Sequence, residues 1–222
     1  MQPKSITNLV GGLRHLLVCS RCDEMFHIQE GSHSESYQVS KFGLLSIPIE
    51  RSGILPISNL IQILSTIKYE RIPLVTGNAG RVFESYAHVK LCGVDHQKRS
   101  NFLSQVLQHI VMQVRITRHI VELGFTDTWI FFFGGEYLIL PMVTAGLLKK
   151  EVIMIIPGST VAIMTSANNR FLIPIRVLTW MTRKLCKTIV VYSPSLISEW
   201  NLEPYRHKIL IAHRHFLDFN TF

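Results

Sequence analysis

From residue 128 to residue 212, short apolar runs alternate with segments of helical length, and this alternation restricts the folds open to the chain. Four of the runs have the length of buried strands and carry almost no charge: residues 129–133, 152–156, 188–192 and 208–212. The segments that connect them have helical spacing: residues 137–148, 161–184 and 195–200. A repeated order of strand, helix and strand is typical of βαβ units. We therefore predict an α/β fold, a Rossmann-like parallel sheet flanked by helices.

The rest of the sequence adds further strands and one long helix. Residues 16–19 and 73–76 are apolar runs of strand length, and residues 100–123 carry apolar side chains at helical spacing. Residues 42–70 stay ambiguous, because proline and glycine interrupt them. Pro174 predicts a kink inside the longest of the connecting helices, since proline removes a backbone donor.

The composition is that of a globular protein with an anionic partner. Hydrophobic residues make up 47% of the 222 residues and charged residues 17%, which favours a packed core over disorder. The net charge of +8 predicts binding to a phosphorylated ligand or an anionic membrane surface. Nucleic acid is not predicted as a partner, because the basic residues are dispersed and no RNA-recognition signature occurs. Residues 170–187 mix basic and apolar side chains, which fits either a helix on anionic lipid or a helix packed on the sheet.

Two long segments, residues 128–148 and 152–169, are nearly free of charge. A membrane span needs about 20 predominantly apolar residues. Turn-forming residues interrupt both segments, so a buried strand, a turn and the next helix describe them better. Residues 1–13 lack the apolar centre of a signal peptide. We therefore expect a cytoplasmic protein, peripheral to the membrane if it contacts one.

The turns that follow the predicted strands are rich in small residues and arginine. In an open parallel sheet, ligands bind outside the carboxyl ends of the strands. Glycine and serine let backbone N–H groups approach a ligand, and arginine binds phosphate. The candidate phosphate- or substrate-binding residues in these turns are Arg21, Gly77, Gly80, Arg81, Gly134, Gly135, Gly158, Ser159 and Arg214. The same glycines also make tight turns, and the same arginines also form surface ion pairs.

Three side chains are candidate catalytic residues: Glu136, Asp95 and His96. Glu136 opens a predicted helix, where it can bind a substrate hydroxyl or a cation, or interact with the helix amides. A carboxylate beside an imidazole, as in Asp95-His96, can act as a general base. Polarity before the long helix explains this pair equally well.

The cysteines leave three interpretations open. Cys19 and Cys22 form a C-x-x-C after a predicted strand, a setting for redox chemistry. With Cys92 and His96 the same pair can form a zinc site, although the spacing is not that of a standard finger. We favour reduced, buried cysteines and predict no metal site.

Four stretches carry a family resemblance: DTWIFFFGGE, EVIMIIPGST, KTIVVYSPSLISEW and YRHKILIAHRHFLDFNTF. Together they resemble the amino-terminal domain of two-domain GT-B glycosyltransferases, in particular the retaining group called family 4. In that family the last strand is followed by a short turn and Asp-x-x-x-Phe, here Asp218 to Phe222, which leads into the second domain. The resemblance implies a Rossmann-like first domain at residues 1–212 and the start of an interdomain linker at residues 213–222. The chain would then be the first half of a GT-B architecture.

The resemblance also implies a function, that of an acceptor-binding domain that works with a donor-binding domain or subunit. The reaction would transfer a sugar from a nucleotide-diphosphate sugar to a hydroxyl acceptor, such as a lipid-linked one, with no cofactor bound to this chain. The family's glycine-rich loop has its nearest equivalent at Gly31-Ser32, and Pro157-Gly158 replaces a histidine that many members place near the transferred sugar. The alternative is a non-catalytic Rossmann-like subunit that binds a partner or anchors it to a membrane.

Overall fold

The computed structural model describes residues 41–65, 71–96, 101–166 and 171–212. The strands in these residues are β1 (Phe42–Leu45), β2 (Ile72–Thr76), β3 (Val89–Gly93), β4 (Thr128–Phe131), β5 (Glu151–Ile155), β6 (Thr188–Val191) and β7 (Ile209–Ile211). In this part of the chain they form one 7-stranded sheet in the order β3-β2-β1-β4-β5-β6-β7. Every pairing is parallel. The predicted Rossmann-like parallel sheet is confirmed.

Helices connect the strands and cover both faces of the sheet. The α-helices are α1 (Ile54–Ser65), α2 (Phe102–Glu122), α3 (Ile139–Leu147), α4 (Thr160–Ser166), α5 (Leu172–Leu185) and α6 (Ser195–Glu199). Short 3₁₀ helices span Arg51–Gly53, Ala79–Ser85, Gly135–Tyr137 and Glu203–Lys208. Because a parallel strand must be followed by a crossover, these helices are what the predicted order of strand and helix requires.

The core lies in two layers, one on each face of the sheet. Neighbouring strand residues point to opposite faces, so Phe131 packs with α2 and α3 whereas Ile130 packs on the side of α1. Ile116 of α2 and Leu60 of α1 are each fully buried against these faces. Burying one such side chain stabilises the fold by about 1.5–3 kcal/mol. Burial on both faces explains why the central strands are uninterrupted apolar runs.

A glycine lets the first strand lie beside the fourth. A Cβ added to Gly43 would lie 2.7 Å from the ring of Trp129, a contact that real Cβ atoms do not make. The paired strands put these two residues directly opposite each other. Only glycine leaves room for the indole, which is fully buried at this point.

Most of the predicted elements are confirmed, with four exceptions. The ambiguous segment 42–70 contains the central strand β1 as well as α1, and the edge strand β3 was not predicted. The predicted helix at 161–184 is two helices, α4 and α5. The expected kink at Pro174 is wrong, because this proline lies in the first turn of α5, where a backbone N–H has no partner within the helix. The strand predicted at 16–19 lies outside the described residues.

The two nearly uncharged segments are strands, turns and helices, as predicted. Residues 128–148 form β4, a 3₁₀ turn and α3, and the described part of 152–169 forms the rest of β5 and α4. Within the described residues, no helix combines the length and the apolar character that crossing a bilayer requires.

Candidate functional site

A cleft of about 610 Å³ lies at the carboxyl ends of the central strands. The strand order changes direction between β1 and β4, since β2 and β3 lie on one side of β1 whereas β4 to β7 lie on the other. In open α/β sheets this switch point is where ligands bind. The side chains that line the cleft follow β1, β4, β5 and β6, and they include Ile47, Pro48, Glu50, Ser52, Phe133, Pro157 and Tyr192.

The loops after β1 and β4 are fastened to each other at the base of the cleft. The backbone N–H of Ile47 donates to the carbonyl oxygen of Phe133 at 3.1 Å. The carbonyl oxygen of Ile47 accepts hydrogen bonds from the hydroxyls of Ser46, at 2.8 Å, and Thr76, at 3.1 Å. Gly134 has a φ of +73°, and a Cβ there would lie 2.6 Å from the side chain of Ile47. The cleft therefore has a rigid floor, and Gly134 is required by both conformation and space.

The cleft combines apolar walls with one carboxylate. Pro48, Phe133, Pro157 and Tyr192 supply the walls. Burial raises the pKa of Tyr192, so its phenol stays neutral at physiological pH. Among the described residues that line the cleft, Glu50 is the only charged side chain, and it is exposed at the rim. Such a site can hold a sugar ring or hydrocarbon against the walls while the carboxylate accepts hydrogen bonds from hydroxyl groups.

Glu136, the first catalytic candidate, is part of a buried ion pair. Its Oε1 accepts a hydrogen bond from Nη2 of Arg183 at 2.7 Å, and the two side chains are only 5% and 9% exposed. Its Oε2 accepts from the backbone N–H of Thr160 at 3.2 Å, at the start of α4. The hydroxyl of Thr182 donates to the carbonyl oxygen of Glu136 at 2.8 Å. The carboxylate thus joins the turn after β4 to α4 and α5, and a role in substrate binding stays a prediction.

The other two candidates, Asp95 and His96, lie in the loop after β3. Arg81 makes a hydrogen-bonded ion pair with Asp95, and the backbone N–H of Asn78 donates to the same carboxylate at 2.9 Å. The Arg81 guanidinium holds the pKa of the Asp95 carboxyl below its usual value. The side chain of Asn78 bonds the backbone of His96 in both directions. Arg81 therefore has a carboxylate partner, and its binding of phosphate stays a prediction.

Several of the predicted glycines are explained by close packing. A Cβ at Gly77 would lie 2.1 Å from the carbonyl oxygen of Val94, at Gly80 2.6 Å from Thr76, and at Gly135 2.9 Å from Phe131. Gly158 differs from them, because a Cβ there would meet nothing within 4 Å.

Ser159 has a capping role at the start of α4. Its hydroxyl oxygen accepts a hydrogen bond from the backbone N–H of Ala162 at 3.2 Å. Since Glu136 holds the N–H of Thr160, two of the first N–H groups of α4 already have partners within the chain. The expectation that this helix start holds phosphate is therefore weakened, although it stays a prediction.

Four predicted site residues, Arg21, Gly31, Ser32 and Arg214, lie outside the described residues. Within the described residues, no group of three or more His, Cys, Asp or Glu side chains is placed to hold a metal ion. Cys19 and Cys22, which carried the zinc and redox alternatives, also lie outside them.

Sequence reasoning missed the residues that line the cleft after β1, chiefly Glu50 and Ser52. The signal that could have found them is the run Phe42–Leu45, which is apolar, has strand length and is followed by Ser-Ile-Pro. Placing a strand there would have made the next loop a candidate site, as it did for the strands that were predicted.

Comparison with known proteins identifies the class of fold. No family model matches the sequence, and no curated protein matches it. Among solved structures, the chain resembles the UDP-GlcNAc 2-epimerase from Neisseria meningitidis bound to UDP-GlcNAc, with a TM-score of 0.54, 12% sequence identity, and coverage of 77% of this chain and 46% of that one. The corresponding epimerase from Methanocaldococcus jannaschii gives a TM-score of 0.52 at 13% identity, over 77% of this chain and 45% of that one.

A plant protein bound to a nucleotide sugar is also among the similar structures. Arabidopsis thaliana UGT89C1 complexed with UDP-L-rhamnose has a TM-score of 0.51 at 14% identity, over 82% of this chain and 54% of that chain. The chain thus spans about half the length of the structures it matches. The fold is a Rossmann-like sheet of GT-B type, as the sequence resemblance implied.

Proposed function

We propose that this chain is the acceptor-binding half of a glycosyltransferase of GT-B fold, and that the cleft between the ends of β1 and β4 is its acceptor site. The observation that carries the proposal is the position of this cleft at the switch point of the sheet. The similar structures bound to UDP-GlcNAc and UDP-L-rhamnose support a nucleotide sugar as the donor.

The lining of the cleft fits an amphiphilic acceptor that carries a hydroxyl. The walls of Phe133 and Tyr192 bury an apolar group or the face of a sugar ring, while Glu50 and Ser52 bind hydroxyl groups at the rim. The acceptor oxygen attacks the anomeric carbon of the donor, the bond from that carbon to the diphosphate breaks, and the acceptor proton is released. Glu50 is placed to orient the attacking hydroxyl and to receive its proton.

The donor is expected to bind on a second domain or subunit that faces the same edge. Because every strand is parallel, β7 also ends at the edge that carries the cleft, and the backbone N–H of Ala212 still bonds Val191 there at 2.8 Å. The last described residue, Ala212, therefore lies at the same edge of the sheet as the cleft, on the strand next to the one that Tyr192 follows.

A nucleotide-sugar epimerase is the second candidate, because UDP-GlcNAc 2-epimerases are among the structures that the chain resembles. In that case the cleft would bind the nucleotide sugar itself, and no hydroxyl acceptor would be needed. The two candidates differ in which small molecule binds in the cleft through Glu50.

The test is calorimetric titration of the full chain with two probes, octyl β-D-glucoside below its micelle concentration and UDP-GlcNAc. Replacing a charged hydrogen-bond acceptor costs about 1.5–3 kcal/mol, so Glu50→Gln should weaken glucoside binding by about 10-fold or more. The matched control is Glu84→Gln, the same change at an exposed glutamate of the 3₁₀ helix after β2, which should leave the affinity unchanged.

Each outcome separates the candidates. Glucoside binding that Glu50→Gln weakens and Glu84→Gln does not supports the acceptor site. Binding of UDP-GlcNAc that depends on Glu50, without binding of the glucoside, overturns it in favour of the epimerase. If neither probe binds, the cleft is not an acceptor site, and a non-catalytic subunit becomes the better description.

A further inference from the structure

A second pocket, of about 940 Å³, runs along α5, and none of its described lining residues lines the cleft. It is bounded by α4, α5, α6 and the 3₁₀ helix before β7. The turn after β5 lies between the two sites, since Pro157 lines the cleft and Ser159 lines the pocket. The pocket is therefore a separate candidate site on the same domain.

The charges in this pocket are mostly positive. Besides Arg183, the cations that line it are Arg176, Lys184 and Lys208, whereas Glu199 is the single carboxylate among the described lining residues. Arg176 is exposed and forms no ion pair with any described carboxylate. Lys208 is fixed, because its Nζ donates to the carbonyl oxygens of Lys184 at 3.1 Å and Cys186 at 2.9 Å. Such a cluster attracts an anion.

Aromatic side chains stand next to these cations. The Nζ of Lys184 lies 3.9 Å from the centre of the Trp180 ring, and the indole is 52% exposed. Trp200 and Tyr205 also line the pocket. Cations beside exposed aromatic faces suit a ligand with an anionic group and an organic part that stacks on the rings.

Two residues that line the pocket carry buried polar atoms without partners among the described residues. Among the described residues, neither Oγ1 of Thr179 nor Nε of Arg183 has a hydrogen-bond partner. Both residues line the pocket, and they are only 3% and 7% exposed. The remaining Arg183 groups are occupied, Nη2 by Glu136 and Nη1 by the carbonyl oxygen of Trp200 at 3.2 Å. A ligand oxygen that reached these atoms would satisfy groups that are otherwise costly to bury.

We propose that this pocket binds a phosphate group carried on a sugar or a hydrocarbon, with the organic part against Trp180 and Trp200. Phosphate is an anion that both arginine and lysine bind, and Arg176 and Lys184 are exposed cations among the described residues that line the pocket. Since no residue of the cleft takes part, this site does not depend on the proposed acceptor function. The ligand is either a soluble sugar phosphate or the headgroup of a phosphate-bearing lipid.

The experiment is calorimetric titration of the full chain, in buffer without phosphate, with octyl phosphate below its micelle concentration and with glucose 6-phosphate. Arg176→Glu should weaken binding of the preferred probe by about 10-fold or more, since it replaces an attractive charge with a repulsive one. The matched control is Arg71→Glu, the same reversal at an exposed arginine just before β2, which should change the affinity by less than about 2-fold. Circular dichroism of both variants checks that each is folded.

The two probes distinguish the sources of the phosphate. Tighter binding of octyl phosphate, reduced by Trp180→Ala, assigns the pocket to a lipid headgroup, whereas tighter binding of glucose 6-phosphate assigns it to a soluble sugar phosphate. The proposal is overturned if neither probe binds, or if Arg71→Glu weakens binding as much as Arg176→Glu does. Glu50→Gln should leave phosphate binding unchanged, so failure at the cleft and failure at this pocket can be told apart.

Discussion

The buried pair of Glu136 and Arg183 gives the sharpest test of how this fold is held together. Replacing Arg183 with methionine keeps an unbranched side chain, although a shorter one, and removes the charge. The Glu136 side chain is only 5% exposed, and without Arg183 the N–H of Thr160 is the one hydrogen-bond partner that its carboxylate keeps among the described residues. An ionised carboxylate in that position is poorly solvated, so the variant is expected to lose stability.

The magnitude follows from the distance and the burial. At 2.7 Å and an effective dielectric constant of about 20, the attraction between the two charges is about 6 kcal/mol. Part of it offsets the cost of taking both charges out of water, and breaking such a pair from one side costs about 3–5 kcal/mol. An ordinary domain has a free energy of unfolding of about 5–15 kcal/mol, so Arg183→Met should remove a large share of it.

The assay is urea unfolding of the full chain followed by far-ultraviolet circular dichroism. The double variant Glu136→Gln with Arg183→Met should be more stable than Arg183→Met alone by about 2 kcal/mol, because the neutral amide still accepts a hydrogen bond from the backbone. Arg176→Met, the same substitution on an exposed face of α5, should change stability by less than about 0.5 kcal/mol. The reasoning fails if Arg183→Met costs less than about 1 kcal/mol, or if the two changes are additive.

Three further predictions concern close packing at a glycine, protonation of a histidine and the reactivity of a thiol. Gly77→Ala forces a Cβ to within 2.1 Å of a carbonyl oxygen, so it should lower the free energy of unfolding by at least about 2 kcal/mol. Gly158→Ala, where a Cβ meets nothing within 4 Å, should leave that free energy unchanged or raise it by up to about 1 kcal/mol, and similar urea midpoints for the two variants would contradict this. Burial lowers the pKa of His109, so the unfolded chain binds the proton more readily, and the free energy of unfolding should fall as the pH drops through about 6.5. Urea midpoints measured across pH should show a shallower fall in His109→Gln. Burial raises the pKa of Cys186 to about 11, so at pH 8 this thiol should react with Ellman's reagent more slowly than the half-buried Cys92. Peptide mapping that found the opposite order of reaction would contradict this prediction.

The sequence was sufficient to predict those strands that are buried on both faces, because such strands need a continuous run of apolar residues. Strands β4, β5 and β6 were predicted for that reason, because their residues are almost entirely buried. Strand β3 was missed because it lies at the edge of the sheet, where Lys90 and Gly93 are exposed and the run is broken. Strand β1 was missed because it has only four residues, one of them the glycine that makes room for Trp129.

The candidate site was predictable only in its position. The turns after the strands indicated the correct edge of the sheet, since parallel strands all end there. The partner of Glu136 could not be predicted, because Arg183 lies 47 residues away and no local pattern relates the two. For the same reason the cleft residue Glu50 stayed unnoticed until β1 was placed beside β4.

The parallel sheet also decides how the protein can be attached to a surface. Among the described residues, every lysine lies at the start of a strand, just before one, or in the last turn of the helix that precedes one: Lys41, Lys90, Lys149, Lys150, Lys184, Lys187 and Lys208. Amine coupling through these residues would hold the molecule by the edge opposite the cleft and leave the cleft open to solution. Because Lys184 and Lys208 line the second pocket, a biosensor prepared in this way would report binding at the cleft while obstructing the pocket.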